Sequence, residues 1–374
     1  MKGRKLLMIP GPIEFEPAVM QAVGMATTSH VAPDFIESFG HSLEMMREVW
    51  MAPSGQPFIM AGTGTLAMDM AGSNLVEPGD MALVISTGYF GVRYAELLKR
   101  YGADVTLLKA PAGDGVKPQE IETELKRRQY KVMTFTHVDT STAVRVEPEP
   151  MGRLGEKYGV LTILDGVCSV AGEEIRQEEW KIDVVLTASQ KAVGVPPGLA
   201  LMVVSERAMQ AWRERKSPAG SYYCDWSHWL PVMKAYEERR PGYFGTPAVN
   251  LVCGLEVSLG LILKEGMEER FRRHKRIGKM FRETMKSLEL KMIPVSDDVS
   301  ANTLSAILYP GGVKAADFMR SISSSDVILA GGLLPELKDK YFRVGHMGAV
   351  TAGDILVTAA SVEQALKECG YVTG

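Results

Sequence analysis

The sequence predicts an α/β protein, in which helices cover a mostly parallel sheet and a smaller α+β domain follows. Between residues 57 and 206, short apolar runs alternate with helical patterns, as they do when helices connect parallel strands. Beyond residue 250, a long helical stretch precedes a few short strands and helices. The length of 374 residues fits about two domains. We expect an N-terminal segment at 1–15, a large domain at 16–250 and a small domain at 251–374.

The elements of the large domain are predicted from apolar runs and from helical periods. The predicted strands are Pro57–Met60, Ala82–Ile85, Val105–Leu108, Val132–Phe135, Leu161–Leu164, Val184–Leu186 and Ala200–Val204. The predicted helices are Thr65–Leu75, Val92–Tyr101, Pro118–Arg128 and Met151–Tyr158. No helical pattern separates the last two strands, so we expect part of the sheet to be antiparallel.

The remaining chain is less regular. Residues 212–245 are rich in Trp, Tyr, Pro and charged residues, which predicts an irregular region with one short helix. Residues 247–288 form a long helical pattern that is interrupted near Gly266. Further predicted elements are the strands Leu304–Leu308 and Tyr341–Val344 and the helices Ala315–Ser321 and Ser361–Glu368.

Composition and charge limit the kinds of partner and site that we expect for this protein. The formal net charge of −3 gives no reason to expect a nucleic-acid or an anionic-membrane partner. No apolar run approaches the roughly 20 residues of a membrane span. The four cysteines are far apart and form no CxxC pair, so we expect neither disulfides nor a metal site, and a cytoplasmic location.

The turn Gly62-Thr63-Gly64-Thr65 lies between a predicted strand and a predicted helix. Glycines let the backbone approach an anion, and a helix N-terminus adds free N–H donors, so a phosphate is the natural ligand. A plain tight turn with a threonine cap is the simpler interpretation. Gly62-x-Gly64-x-x-Ala67 also matches a dinucleotide fingerprint, which keeps a nicotinamide oxidoreductase open.

Two ionisable residues follow neighbouring apolar runs. Asp165 ends the run 159–164, and Lys191 follows the run 182–186. Each residue should lie just past the C-terminal end of a buried strand, where open parallel sheets bind ligands. Alone, Lys191 would more often be a surface lysine, and Asp165 a turn residue or a metal ligand. Together they favour pyridoxal phosphate chemistry, in which an amine forms a Schiff base and a carboxylate keeps the pyridine nitrogen protonated.

Two further loops at the same predicted edge carry polar or aromatic groups. Gly88–Gly91 places Phe90 between glycines, where the ring could stack on a planar ligand or pack under a loop. His137–Thr142 is dense in hydroxyls, which suits contacts to a cofactor oxygen or a turn held by side-chain to backbone bonds. A Ser/His/Asp hydrolase is conceivable, but no G-x-S-x-G elbow is present.

Seven motifs occur in order over nearly the whole chain. They are Pro10-Gly11-Pro12, the Gly62–Thr65 turn, Thr136-His137 through Ser141-Thr142, Asp165-Gly166-Val167, Ser189-Gln190-Lys191, Tyr243-x-x-Thr246-Pro247 and Arg343-Val344-Gly345-His346-Met347-Gly348. This set resembles the class V aminotransferases, the group that contains alanine–glyoxylate and serine–pyruvate aminotransferases. The resemblance implies a fold-type I homodimer with a mixed, mostly parallel seven-stranded sheet. It also implies pyridoxal 5′-phosphate as cofactor and active sites at the subunit interface.

The resemblance also implies a role for each candidate site residue. Lys191 would carry the Schiff base, and Asp165 would pair with the pyridinium nitrogen. Arg343, with Gly11 nearby, would bind the substrate carboxylate. The other implied cofactor contacts are Thr63, Gly64, Thr65 and Gln190 to the phosphate, Phe90 and Val167 to the two ring faces, Ser141 to the phenolic oxygen, and Tyr243 and Thr246 to the phosphate of the neighbouring subunit.

The chain departs from the family pattern at two places. His137–Ala143 reads His-Val-Asp-Thr-Ser-Thr-Ala instead of the usual His-Asn-Glu-Thr-Ser-Thr-Gly, and Phe90 stands where relatives often carry tryptophan. No motif offers a second cation for a dicarboxylate, so we expect small amino donors (alanine, serine) and small acceptors (glyoxylate, pyruvate). A pyridoxal phosphate lyase or desulfurase is the alternative, and Cys224 is its only loop cysteine candidate.

Overall fold

The computed structural model describes residues 5–371. Its strands are β1 Leu6–Leu7, β2 Gln56–Ala61, β3 Met81–Ser86, β4 Asp104–Lys109, β5 Val132–Thr136, β6 Val138–Asp139, β7 Val144–Arg145, β8 Leu161–Asp165, β9 Val184–Ala188, β10 Leu199–Val204, β11 Leu304–Leu308, β12 Val327–Ile328, β13 Ala330–Gly331 and β14 Tyr341–Gly345. Its helices are α1 Pro17–Val23, α2 Pro33–Val49, α3 Gly64–Leu75, α4 Tyr89–Arg100, α5 Pro118–Arg127, α6 Pro148–Tyr158, α7 Glu206–Arg213, α8 Trp226–Glu237, α9 Val249–Glu265, α10 Met267–Ser287, α11 Ala315–Ser324 and α12 Ala352–Glu368.

Seven strands form the large sheet, in the order β2-β10-β9-β8-β5-β3-β4. β10 runs antiparallel to both of its neighbours, and the other pairs are parallel. The predicted mostly parallel seven-stranded sheet is therefore confirmed, including its antiparallel part. Because β2 and β9 both run opposite to β10, the C-terminal ends of β2, β9, β8, β5 and β3 lie at one edge of the sheet.

The burial of the central strands explains why they occur in the sequence as continuous apolar runs. Every residue of β5, β8, β9 and β10 is buried, which requires that both faces of the sheet be covered. The edge strand β4 instead contains only exposed and half-buried residues. A strand that is buried on both faces has nowhere to place a charge except at its ends, and this confines Asp165 to the end of β8.

The helices follow the predicted order, with the additions α1 and α2 near the N-terminus and α7 after the last strand of the large sheet. The predicted break at Gly266 separates α9 from α10, and its φ of +83° is a conformation that glycine adopts readily. Helices α1 and α2 were not predicted, although each begins with a proline in its first turn, a typical helix start. Both pack against α9.

The C-terminal part builds a second hydrophobic core around the antiparallel sheet β11-β14-β13. Residues of α10, α11 and α12 enter this core, and so does Met8. β1 pairs with β12 in a separate two-stranded sheet, so the N-terminal segment is attached to the C-terminal part of the chain. Leu255 and Leu259 of α9 are buried in the larger core. The domain boundary at residue 250 stays a prediction.

Candidate active site

A cavity of about 190 Å³ lies at the C-terminal edge of the large sheet. It is lined by loops that follow β2, β3, β5, β8 and β9, the strands whose ends meet there. The lining residues are Thr63, Gly64, Thr65, Met68, Phe90, Arg93, Thr136, Val138, Thr140, Asp165, Val167, Gln190 and Lys191. The topology therefore brings most of the predicted site residues into one cavity.

Asp165 lies at the end of β8 and is 2% exposed. Its carboxylate accepts the N–H of Val167 at 3.1 Å and the hydroxyl of Thr136 at 3.4 Å. Burial raises the pKa of Asp165 from its ordinary 3.8 to about 6, and the nearby Asp139 carboxylate adds to the increase. Lys191 and the two hydrogen bonds lower the pKa in part. A cation bound beside this carboxylate would therefore favour its ionised form.

Lys191 lies in the turn after β9 and is 9% exposed. Its Nζ donates a hydrogen bond to the Pro10 carbonyl and lies 3.8 Å from Sγ of Cys168. A side-chain carbon at Gly11 would lie 2.6 Å from Cδ and 2.8 Å from Nζ of the lysine, and Gly11 has a φ of +122°. Glycine at position 11 thus leaves the space that the lysine side chain occupies, in a conformation that other residues rarely adopt.

The other end of the cavity fits an anion. Helix α3 begins there with Thr63 at its N-cap, and the Thr63 side chain makes no capping hydrogen bond. The first N–H groups of a helix have no partner within the helix, and its dipole attracts negative charge. Gln190 also lines the cavity, and its side-chain NH₂ is a neutral hydrogen-bond donor. Polar groups that the protein leaves unsatisfied mark this end as a place for a polar ligand.

Phe90 lies in the first turn of α4, and a neighbouring loop fixes this helix terminus. Asp139, which is fully buried, accepts the N–H of Phe90 at 3.0 Å and the hydroxyl of Ser141 at 2.5 Å. The Ser141 oxygen in turn accepts the N–H of Tyr89 at 3.0 Å. Burial raises the pKa of Asp139, while these hydrogen bonds oppose the increase. The two side chains together cap α4, which explains why the helix begins three residues before the predicted Val92.

Ser141 itself does not line the cavity. It is fully buried, and its hydroxyl is used by Asp139 and by the backbone of Tyr89. Its neighbour Thr140 lines the cavity instead, with its hydroxyl 3.0 Å from Sγ of Cys168. Of these two neighbouring residues, Thr140 is therefore the one that lines the cavity. The contact predicted for Ser141 stays a prediction.

Arg343 on β14 lies next to the cavity wall. Its Nη1 donates to the Thr140 carbonyl at 3.1 Å, and its Nε donates to the Gly331 carbonyl at 2.8 Å. Burial lowers the pKa of Arg343, and within residues 5–371 the guanidinium forms no ion pair with a carboxylate. A half-buried cation that is held in place by two carbonyls and has no acid partner suits an incoming carboxylate.

Two predicted residues are exposed and lie outside the cavity. Tyr243 is 65% exposed, and its ring centroid lies 5.3 Å from that of His30. Thr246 is also exposed, and neither residue lines the cavity of its own chain. The structure does not bring these two residues together with Lys191 and Asp165.

Sequence reasoning missed three residues near Lys191 and Phe90. Arg93 lines the cavity, and its spacing of three from Phe90 on a helix could have predicted a shared face. Cys168 and the Pro10 carbonyl contact the lysine amine. Pro10 belongs to the predicted Pro10-Gly11-Pro12 motif, but its contact to Lys191, like that of Cys168, depends on how distant loops meet.

Two further findings bear on other kinds of site. No group of three His, Cys, Asp or Glu side chains within residues 5–371 is arranged to hold a metal ion. Over the same residues, no helix is both long and apolar enough to cross a membrane.

Sequence relatives match this chain over almost its full length. Alanine–glyoxylate aminotransferase 1 of Saccharomyces cerevisiae is 36% identical over 365 residues, which is 94% of this chain and 94% of that protein. The L-aspartate–glyoxylate aminotransferase of Paracoccus denitrificans is 31% identical, with 99% of this chain and 93% of that protein covered.

Solved structures agree with these matches. An alanine–glyoxylate aminotransferase from Nostoc sp. superposes with a TM-score of 0.92 at 30% identity, covering 98% of this chain and 96% of that one. A pyridoxamine–pyruvate aminotransferase from Mesorhizobium loti superposes with a TM-score of 0.92 at 25% identity, covering 99% and 94%.

The family model for class-V aminotransferases matches residues 18–334. Aminotransferases of this family and fold use pyridoxal 5′-phosphate, and the cavity fits that cofactor. It offers a buried amine, a buried carboxylate and an anion-binding helix N-terminus. The nicotinamide alternative is thereby set aside. The chain belongs to the class-V aminotransferase family and is a pyridoxal phosphate-dependent aminotransferase.

Proposed function

We propose that this enzyme transfers the amino group of a small amino acid, such as alanine or serine, to a small 2-oxo acid, such as glyoxylate or pyruvate. The observation that carries the proposal is the shared cavity of Lys191 and Asp165, with Arg343 at its wall. An amine, an acid and an unpaired guanidinium are the three groups that amino transfer from a carboxylate-bearing substrate requires.

We assign the cofactor contacts from this arrangement. Thr63, Gly64, Thr65 and Gln190 would hold the phosphate, while Phe90 and Val167 would hold the ring. Thr140, which lines the cavity, takes the contact to the phenolic oxygen that the resemblance gave to Ser141. When bound, the cofactor supplies an electron sink for negative charge at the substrate α-carbon.

The chain's own groups perform the remaining steps. The carboxylate of Asp165 keeps the proton on the ring nitrogen. Arg343 holds the substrate carboxylate, so that the α-proton faces Nζ of Lys191. With the cofactor bound, the lysine amine would take that proton as a general base and would give a proton back later in the same half-reaction. The Pro10 carbonyl, which accepts a hydrogen bond from Nζ, holds the amine in place between these two transfers.

The first experiment tests the lysine. Borohydride reduction of the purified enzyme followed by peptide mapping should locate the cofactor on Lys191, and Lys191→Ala should abolish turnover. Lys99→Ala, which removes an exposed lysine from α4, should leave activity unchanged. A modified peptide elsewhere, or near-normal activity of Lys191→Ala, contradicts the assignment.

The second experiment tests Arg343. Lysine carries a point charge and cannot reproduce a bidentate guanidinium–carboxylate pair. Arg343→Lys should therefore raise the KM for every carboxylate substrate by about 10- to 100-fold, the range expected for a charged hydrogen bond. The absorbance of the bound cofactor should stay the same. An unchanged KM means that another residue binds the carboxylate.

The donor preference is tested with alanine, serine and aspartate against glyoxylate and pyruvate. We expect the small donors to be faster, although one relative is named for L-aspartate. Activity with aspartate alone contradicts this part of the proposal. The lyase alternative is less well supported, because Cys224 is 1% exposed and burial raises the pKa of its thiol. A lyase would release product without an acceptor.

We further propose a homodimer in which Tyr243 and Thr246 reach the phosphate site of the partner subunit. Their exposure supports this idea, and so does the aromatic cluster beside them, in which Tyr222, His228 and Phe244 pack together. A cytoplasmic location also remains a proposal, and it rests on four free cysteines.

A further inference from the structure

The charges that line the cavity do not balance a bound phosphate. Among the described lining residues, the ionisable side chains are Arg93, Asp165 and Lys191. Asp165 and Lys191 are assigned above to the ring nitrogen and to the reacting carbon. The donors at the phosphate end, Thr63, Thr65 and Gln190, are neutral. A phosphate monoester carries about −1.5 to −2 charges at neutral pH, and a helix N-terminus supplies only about +0.5.

Arg93 lies at the phosphate end of the cavity, and most of its hydrogen-bond donors have no partner within residues 5–371. It follows Phe90 by one helical turn on α4, and its Nη1 donates to Oγ1 of Thr65 at 3.3 Å. Within residues 5–371 this is its one hydrogen bond with the protein, and it forms no ion pair with a carboxylate. Its remaining guanidinium donors are available to a ligand beside Thr65.

The guanidinium is also held against two aromatic rings. Its carbon lies 5.4 Å from the ring centroid of Phe90 and 5.5 Å from that of Tyr89. Contacts of this length are attractive for a cation over an aromatic face. Arg93 therefore contacts both the turn that binds the phosphate and the aromatic residue that we assign to the ring.

We propose that Arg93 is a further cofactor-binding residue, which supplies the positive charge that balances the phosphate. This proposal rests on the proposed function. It explains why an arginine that lines a cavity has no acidic partner in the chain, and it gives the phosphate end a cation that no motif predicted.

The test compares a ligand that carries the phosphate with one that lacks it. Arg93→Gln, Arg93→Lys and, as a matched control on the same helix, the exposed Arg100→Gln are prepared free of cofactor. The dissociation constants of pyridoxal 5′-phosphate and of pyridoxal are then measured by absorbance titration. Competition by inorganic phosphate is measured in the same proteins.

Arg93→Gln should raise the dissociation constant of pyridoxal 5′-phosphate by about 10- to 100-fold, the loss expected for a charge-assisted contact. The constant for pyridoxal should change by less than about twofold, because the ring contacts remain. Inorganic phosphate should compete with the cofactor in the wild type and much less in Arg93→Gln. Arg93→Lys should lie between the two, and Arg100→Gln should match the wild type.

Two results overturn the inference. Equal weakening of both ligands would mean that Arg93 only supports Phe90, and unchanged binding of pyridoxal 5′-phosphate would mean that the phosphate is balanced elsewhere. Pyridoxal binding also reports whether each variant is folded. Failure of the proposed function is a separate result, since the wild-type protein would then bind neither ligand at Lys191.

Discussion

The cavity floor, formed by Thr136, Asp165 and Lys191, differs sharply from the exposed arm, by which we mean Tyr222, Tyr223, Tyr243 and Thr246 on either side of the largely buried helix α8. The floor residues follow buried strands and are at most 9% exposed. In the arm, Tyr222 is 76% and Tyr243 is 65% exposed. The floor is thus complete within one chain, whereas the arm presents its aromatic residues outward. This contrast is consistent with our proposal that the reacting groups lie within one chain, while the arm serves the site of a second subunit.

The largest expected effect comes from placing a substitution of the floor in one subunit and substitutions of the arm in the other. Lys191→Ala and the double variant Tyr243→Ala/Thr246→Ala should each be nearly inactive as purified. When the two are unfolded together and refolded as a mixture, about a quarter of wild-type activity should return. Half of a random mixture is heterodimer, and each heterodimer then has one intact site.

The matched control mixes Lys191→Ala with Asp165→Asn. Both changes lie in the floor, so no combination of these subunits has an intact site, and no activity should return. Recovery in this control, or none in the first mixture, would show that Tyr243 and Thr246 do not serve the partner subunit.

The next prediction concerns the floor residue Asp165 and the way in which the free energy of unfolding depends on pH. In the cofactor-free protein, the pKa of Asp165 is raised from 3.8 to about 6, so between these values the folded chain binds more protons than the unfolded chain does. The free energy of unfolding should then fall as pH rises through this window, by up to about 3 kcal/mol from this group. Asp165→Asn should remove that part of the pH dependence. Denaturant titrations from pH 4 to pH 7 measure it.

Asp104→Asn, which changes an exposed carboxylate on β4, is the control and should keep the wild-type slope. With cofactor bound, Asp165→Asn should also lower kcat on the order of 10²- to 10³-fold, since it removes a preorganised charge. If Asp165→Asn showed the wild-type slope and rate, the carboxylate would have no part in the reaction.

The same contrast explains how much the sequence could predict. Asp165 and Lys191 were found because an apolar run points to a buried strand, and the end of a parallel strand points to the binding edge. The register within the loop after β5 has no such signal, so the sequence could not show that Thr140 lines the cavity and that Ser141 is buried. Arg93 was missed because its spacing from Phe90 identifies a face of α4 but not what that face contacts. Helix α2, by contrast, does have a start signal in the sequence, with Pro33 and Asp34 in its first turn.

The smallest expected effect concerns Asp139, which holds the backbone of Phe90, the residue that we assign to the cofactor ring. In Asp139→Asn, an amide NH₂ would replace one oxygen and would face an N–H or hydroxyl donor of Phe90 or Ser141. The cap of α4 should weaken, and the free energy of unfolding should fall by about 1 kcal/mol. Because Phe90 would be held less firmly, kcat should also fall, by a few fold. Denaturant titration and steady-state kinetics measure the two effects.

Asp354→Asn provides the comparison, because Asp354 belongs to the capping box of α12, far along the chain from the cavity loops. It should lose similar stability, about 1 kcal/mol, while kcat stays at the wild-type value. Asp139→Glu, which retains the carboxylate, should recover part of the rate. If Asp139→Asn and Asp354→Asn changed stability and kcat alike, Asp139 would be a helix cap and nothing more, and the position of Phe90 would not depend on it.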